Sequence, residues 1–233
     1  MDRVGDAFVW SFRDKQWLEK IAIIGLIFLI PIVGWINAAG WMMAAVERLR
    51  AGEETLPAAN FDHLSRGFQL FVVLFVYYTA LFLIAAVLFA PAVIILNLEG
   101  NGGGNAAVAF FGVALMMLAF AVAILGTLAL NFVRPAIVLA ILTGGIAGGF
   151  DVGGVLGRIR RSPTNTLIAG LMLIAAGFIG GLGAYACYVG IIFTIPYSLA
   201  MEAWIIRSYE LGATAPGLSR ETLNVGDPAA SGR

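Results

Sequence analysis

Cysteine and histidine are nearly absent from this chain: among 233 residues there is one of each, Cys187 and His63. A lone cysteine forms no internal disulfide, and neither residue has the neighbours that a zinc site needs. Charge is scarce too, at 12% of residues, and it is balanced, with 14 basic and 14 acidic side chains. That balance leaves no global field to draw in nucleic acid or an acidic substrate. The few charges are also unevenly placed. None lies within residues 21–46 (26 residues), 67–98 (32), 100–133 (34) or 162–201 (40).

A hydrocarbon core of about 30 Å takes roughly 20 helical residues to cross. The first three runs therefore hold one span each and the fourth holds two, which predicts an all-α, polytopic membrane helix bundle of about five spans. A further uncharged stretch, residues 135–150, is 16 residues long and too short to count. With 61% apolar residues and a mean hydropathy of +0.93, the chain lies outside the composition of soluble domains. The first apolar run starts at residue 21 and is longer than a signal-peptide core, so residues 1–20 are expected to belong to the mature protein. Within them Phe8, Trp10, Phe12 and Trp17 mix with both charge signs, which suits a segment in the headgroup region anchored by Trp10 and Trp17. Residues 21–211 form the expected bundle. The small polar and Pro/Gly-containing tail, 212–233, reads as disordered.

Lys and Arg number four before residue 21, three in 48–66, none in 98–105, four in 134–161 and three after 201. Basic residues collect on the cytoplasmic side, so the 101–105 loop is expected outside and the C-terminus inside. The N-terminus is ambiguous. Residues 21–46 are either one span kinked at Pro31 or a re-entrant hairpin with Ile30-Pro31-Ile32-Val33-Gly34 at its tip, which would bring all fourteen basic residues to one side. Gly25-Leu-Ile-Phe-Leu-Ile-Pro31 recurs as Gly190-Ile-Ile-Phe-Thr-Ile-Pro196, with five identities in seven. That echo makes the first run equivalent to the last and favours the kinked span. Phe61-Asp62 and Phe150-Asp151 each precede a short basic segment, and both aspartates read as N-caps of interfacial helices. In the second of these, Val152, Val155, Leu156 and Ile159 recur at helical spacing while Arg158, Arg160 and Arg161 point elsewhere. Such a helix reads as an anchor on anionic lipid, worth about 1 kcal/mol per basic residue.

Gly144, Gly145, Gly148 and Gly149, and Gly177 with Gly181, have the spacing that lets helices approach closely, within the chain or across a homo-oligomer. Pro31, Pro91 and Pro196 interrupt three apolar runs and read as packing kinks. Polar residues at membrane depth are few: Asn37, Thr127, Asn131, Thr194 and Glu202, with Arg134 at a span end. Glu202 has no second carboxylate for a proton relay and is expected to pair with Arg134 or a nearby arginine. No metalloprotease, serine-hydrolase or phosphate-loop motif is present, and Asp62, His63 and Ser65 look like a helix start rather than a triad.

The chain resembles an uncharacterised prokaryotic membrane family, domain of unknown function 4013. The likeness rests on Asp6-Ala7-Phe8, Phe12-Arg13-Asp14, Trp17, Ile30-Pro31-Ile32-Val33-Gly34, Arg48, Ala51-Gly52-Glu53, Leu56-Pro57 and Phe150-Asp151, across residues 5–212. Where the family often has a Trp-acidic cluster after Leu-Pro, this chain has Ala58-Ala59-Asn60-Phe61. The resemblance implies a polytopic fold in a prokaryotic inner membrane and supplies no activity. The reading is thus a non-enzymatic membrane protein without cofactor or metal, acting through lipid or protein partners, with a small transporter or channel-like protein as the alternative. Arg158, Arg160 and Arg161 are the candidate lipid-facing residues, and Asn131, Arg134 and Glu202 the candidate intramembrane polar group.

Overall fold

A computed structural model describes residues 4–102, 105–185 and 189–214. The loop expected at 101–105 therefore lies partly outside the described residues, and Cys187 and residues 215–233 of the tail lie wholly outside them. The described chain is all-helical. Two 3-10 turns, Val4–Phe8 and Trp10–Arg13, precede α1 (Trp17–Phe28) and α2 (Val33–Arg50). Two long helices follow, α3 (Leu64–Gly102) and α4 (Ala106–Phe150), then the short α5 (Val152–Arg161). The last described elements are α6 (Pro163–Leu182), a 3-10 turn (Gly183–Tyr185) and α7 (Ile191–Thr214).

The first apolar run is not one kinked span. Its helix stops at Phe28, and Ile32 sits at φ 66, ψ −63 while the Val33 N–H donates to the Pro31 carbonyl at 2.7 Å. That is a three-residue γ-turn, a strained geometry for a β-branched residue. Beyond it α2 runs back beside α1. Lys20 Nζ donates to the Leu56 carbonyl at 2.8 Å, so the start of α1 lies beside the segment that follows α2. The same segment then reaches the middle of α2, where Trp41 Nε1 donates to the Pro57 carbonyl at 3.3 Å. A continuous kinked span would hold these groups far apart, so residues 17–50 are a helical hairpin. The echo between 25–31 and 190–196 does not make the two segments equivalent. Gly25 packs on the Ile192 backbone while Trp10 reaches Ala200, so α1 and α7 run in opposite directions.

Among the described residues three helices, rather than the expected five, are long and apolar enough to cross a membrane: Leu64–Glu99, Ala106–Phe150 and Pro163–Tyr185. α1 has 12 residues, about 18 Å, which is too short. α7 carries Glu202, Arg207 and Glu210 along its length and is not among the three. The stretch 135–150, left uncounted above, continues α4 through Pro135 to a kink at Gly145 (φ 61, ψ −153). Pro91 and Pro196 likewise lie inside continuous helices. Asp62 does not open a separate interfacial helix: its carboxylate bonds Asn60, and α3 starts directly at Leu64.

The core lies where α1, α2, α7 and the lower parts of α3, α4 and α6 meet, around Trp10, Trp41, Met42, Leu70, Ile137, Met201 and Ile205. α2 and α3 cross through reciprocal glycines. A Cβ on Gly40 would strike the His63 carbonyl, and one on Gly67 the Ile36 carbonyl. Away from this core α3 and α4 continue as a two-helix arm, held together by contacts such as Gly112 on Leu96 and Gly126 on Leu81. Its outer side chains are bare, with Val87 73% and Phe110 75% exposed.

Candidate functional site

The described basic residues all lie outside the α3–α4 arm, and three arrangements use them. The first is a latch between the N-terminal segment and the turn after α2. Asp14 is buried and accepts from Gln16 N (2.8 Å), Leu56 N (2.9 Å) and Lys20 Nζ (2.7 Å). Burial alone would raise its pKa, but the Lys20 ammonium and the two backbone N–H groups outweigh it and hold the carboxyl below its ordinary value. Arg13 beside it bonds Glu54 and lies over the Trp204 ring at 5.8 Å. Trp10, expected as a membrane anchor, is fully buried; it stacks on Trp204 and donates to the Ala200 carbonyl at 3.0 Å. The residues that carried the family likeness, Arg13-Asp14 and Leu56-Pro57, thus meet in space as a folding device.

The second arrangement is the partnership anticipated for Glu202. On α7 it is 5% exposed and faces Arg134 of α4, with Nη1 donating to Oε1 at 3.3 Å and Nη2 at 2.9 Å from Oε2. The shorter approach is poorly aligned, so Oε2 is held by charge rather than by a directed bond, and Arg134 Nε is also unpartnered. Asn131 precedes Arg134 by one turn, is half-buried and makes no side-chain hydrogen bond among the described residues. Asn37 is fully buried; its Nδ2 bonds the Asn60 carbonyl at 2.8 Å, and its Oδ1 has no partner. Asp62, His63 and Ser65 form no triad: His63 Nε2 contacts the Ala58 carbonyl at 2.8 Å.

The third arrangement centres on α5. Asp151 caps it, accepting from Gly154 N at 3.0 Å. The apolar stripe divides, with Val155 buried against the bundle and Val152 and Leu156 exposed. Arg158 reaches Thr143 Oγ1 at 3.3 Å, while Arg160 and Arg161 are exposed. None of the three has a carboxylate partner among the described residues. Between α5, α4 and the ends of α2 and α7 lies a cavity of about 210 Å³ lined by Arg50, Leu139, Thr143, Arg158, Arg161, Tyr209, Glu210 and Ala213. Sequence reasoning missed Arg50 here. It comes from a segment a hundred residues away and is placed by Glu210, which it grips through Nε at 3.0 Å and Nη2 at 2.6 Å.

The glycines divide as well. Gly148 packs on the Ala140 carbonyl and Gly149 on Val73 and Ile141, both within the chain, whereas Gly177 and Gly181 have open space beside them.

Architecture defines the class: an all-helical bundle whose longest helices have the length and apolarity of membrane spans. Residues 23–208 match the model of a family described as a protein of unknown function, DUF4013, and the chain belongs to that family. The match begins after the latch residues 6–17, which carried part of the likeness seen in the sequence. No curated protein and no solved structure matches the chain significantly.

Proposed function

We propose that this is a non-enzymatic, multi-pass protein of a prokaryotic inner membrane that acts by binding, its basic end set against the anionic cytoplasmic leaflet and available to protein partners. One observation carries the reading: Arg158, Arg160 and Arg161 have no carboxylate partner among the described residues, and they share a ten-residue helix with the exposed apolar side chains Val152 and Leu156. Charge without a counterion beside exposed apolar surface is what an in-plane helix presents to lipid. The interior polar groups support a binding role, because Glu202 holds Arg134 and Asn37 holds the Asn60 carbonyl. Homo-oligomerisation would use the α6 face at Gly177 and Gly181, where no side chain among the described residues intervenes.

A spin label at Leu156 tests the reading in vesicles with and without anionic lipid. Replacing all three arginines by Gln is expected to weaken immersion of the label by at most roughly 3 kcal/mol equivalent, in anionic vesicles only. Immersion unchanged by the triple replacement would remove the reading.

A small transporter is the second reading, favoured by three of the five buried polar atoms that lack hydrogen-bond partners among the described residues, Asn37 Oδ1, Arg134 Nε and Glu202 Oε2. Such atoms suit a site that receives a polar guest. An ion- or proton-dependent flux in proteoliposomes that disappears in Glu202→Gln while stability is kept would establish it.

A further inference from the structure

We infer that the cavity between α5 and the ends of α2 and α7 is a stoichiometric site for the phosphate of an anionic phospholipid, held by Arg158 and Arg161 with Arg50 behind them. The inference rests on the membrane-surface reading above and narrows it from a charged face to one pocket.

Charge is the first support. Glu210 is the carboxylate in the lining, and it is already shared between Arg50 and Arg207, at 2.6 Å from each. Those three side chains together leave one positive charge. Arg158 and Arg161 add two more, and Arg158 spends one hydrogen bond on the neutral Thr143 hydroxyl. Asp151 lines the adjoining cavity with Arg158, but its carboxylate is engaged with the first turn of α5. The partial negative charge at the ends of α2 and α7 is smaller than this surplus. Among the described residues guanidinium groups thus outnumber carboxylates round this cavity of about 210 Å³, which suits a phosphate, an acceptor of paired N–H donors.

Position is the second support, and it selects a lipid over a free anion. The cavity wall includes the apolar side chains Leu139 and Ala213 and the Tyr209 ring, beside the guanidinium groups. A phosphate seated on the arginines would leave its acyl chains beside apolar surface. Soluble phosphate would gain nothing from that surface.

The test uses the purified full chain in a neutral detergent, where no leaflet exists and a general surface attraction is lost. The probes are dihexanoyl-phosphatidylglycerol, phosphatidylcholine of the same chain length and inorganic phosphate, followed by native mass spectrometry and a saturable thermal shift. The expected result is about one phosphatidylglycerol per chain, with affinity falling about tenfold in Arg158→Gln or Arg161→Gln, the loss of one charge-assisted contact. Arg160, which does not line the cavity, serves as the control, and Arg160→Gln is expected to change affinity less than about twofold. Equal losses from all three arginines, or binding without saturation, would overturn the pocket and leave the surface reading standing. Inorganic phosphate binding as tightly as the lipid would overturn the assignment to a phospholipid.

Discussion

α4 passes through two environments with the same apolar composition. Near its end every residue from Pro135 to Ile141 is buried, so protein surrounds the helix on all sides. Near its start Phe110, Met117 and Ile124 are largely bare, while Gly112 and Ala119 are buried and Phe120 meets Phe89 of α3 edge-on. Of the most apolar stretch in each of α3 and α4, only 11% is buried. Burial per apolar residue therefore separates a protein-packed base from an arm whose apolar side chains are left bare, although hydropathy reads the two alike. Polar contacts follow the same division. The ion pairs Arg134–Glu202, Arg50–Glu210 and Lys20–Asp14 all lie in the base.

The sharpest way to break this contrast is to remove one partner of the pair in the base. Arg134→Ala should cost about 3–5 kcal/mol, because Glu202 would be left buried without its cation. Combining Arg134→Met with Glu202→Gln should recover most of that, and unfolding in detergent measures both. A pair that proves dispensable singly would show that the base is wetter than its burial indicates.

Close backbone approach distinguishes base from arm by a smaller amount. Gly67→Ala places a methyl group against the Ile36 carbonyl and should destabilise by about 1–3 kcal/mol. Gly126→Ala, in the arm, meets only the flexible end of Leu81 and should cost less than half as much. Thermal midpoints in one detergent rank the two.

The latch should give the smallest effect, and a pH-dependent one. The Asp14 carboxyl is held below its ordinary value, so its contribution is complete above the unfolded pKa of about 3.9 and is lost as pH falls through the folded value. Asp14→Asn should lower stability by about 1–2 kcal/mol at neutral pH and flatten the decline below pH 4. Parallel acid unfolding curves for the two proteins would assign that decline to other carboxylates.

Parts of this arrangement were legible in the sequence for physical reasons. Glu202 is an isolated carboxylate in an apolar stretch, and a buried charge needs a cation, which leaves few candidates besides Arg134. Asp151 followed by apolar residues at i, i+3, i+4 and i+7 defined α5 and its cap. The hairpin was legible only as one of two alternatives. A 26-residue uncharged run is long enough for one span, and it is the backbone at Ile32 together with the Lys20–Leu56 contact that shows the chain turning back. The short likeness between 25–31 and 190–196 misled because apolar helices draw on few residue types. Trp10 resembled an anchor by composition, while its actual partners, Ala200 and Trp204, are 190 or more residues away. Arg50 escaped notice in the same way, since nothing local ties it to Glu210.

Returning the α1–α2 hairpin to the side it came from is the step on which the whole arrangement depends, and sidedness tests it most directly. In a Cys187→Ser background, single cysteines at Gly5, Ala106 and Gly157 can be labelled in sealed, oriented vesicles with a membrane-impermeant thiol reagent. The account predicts that positions 5 and 157 react from the same side and position 106 only from the other. Labelling of position 5 from the side of position 106 would contradict it, because the first run would then cross the membrane once.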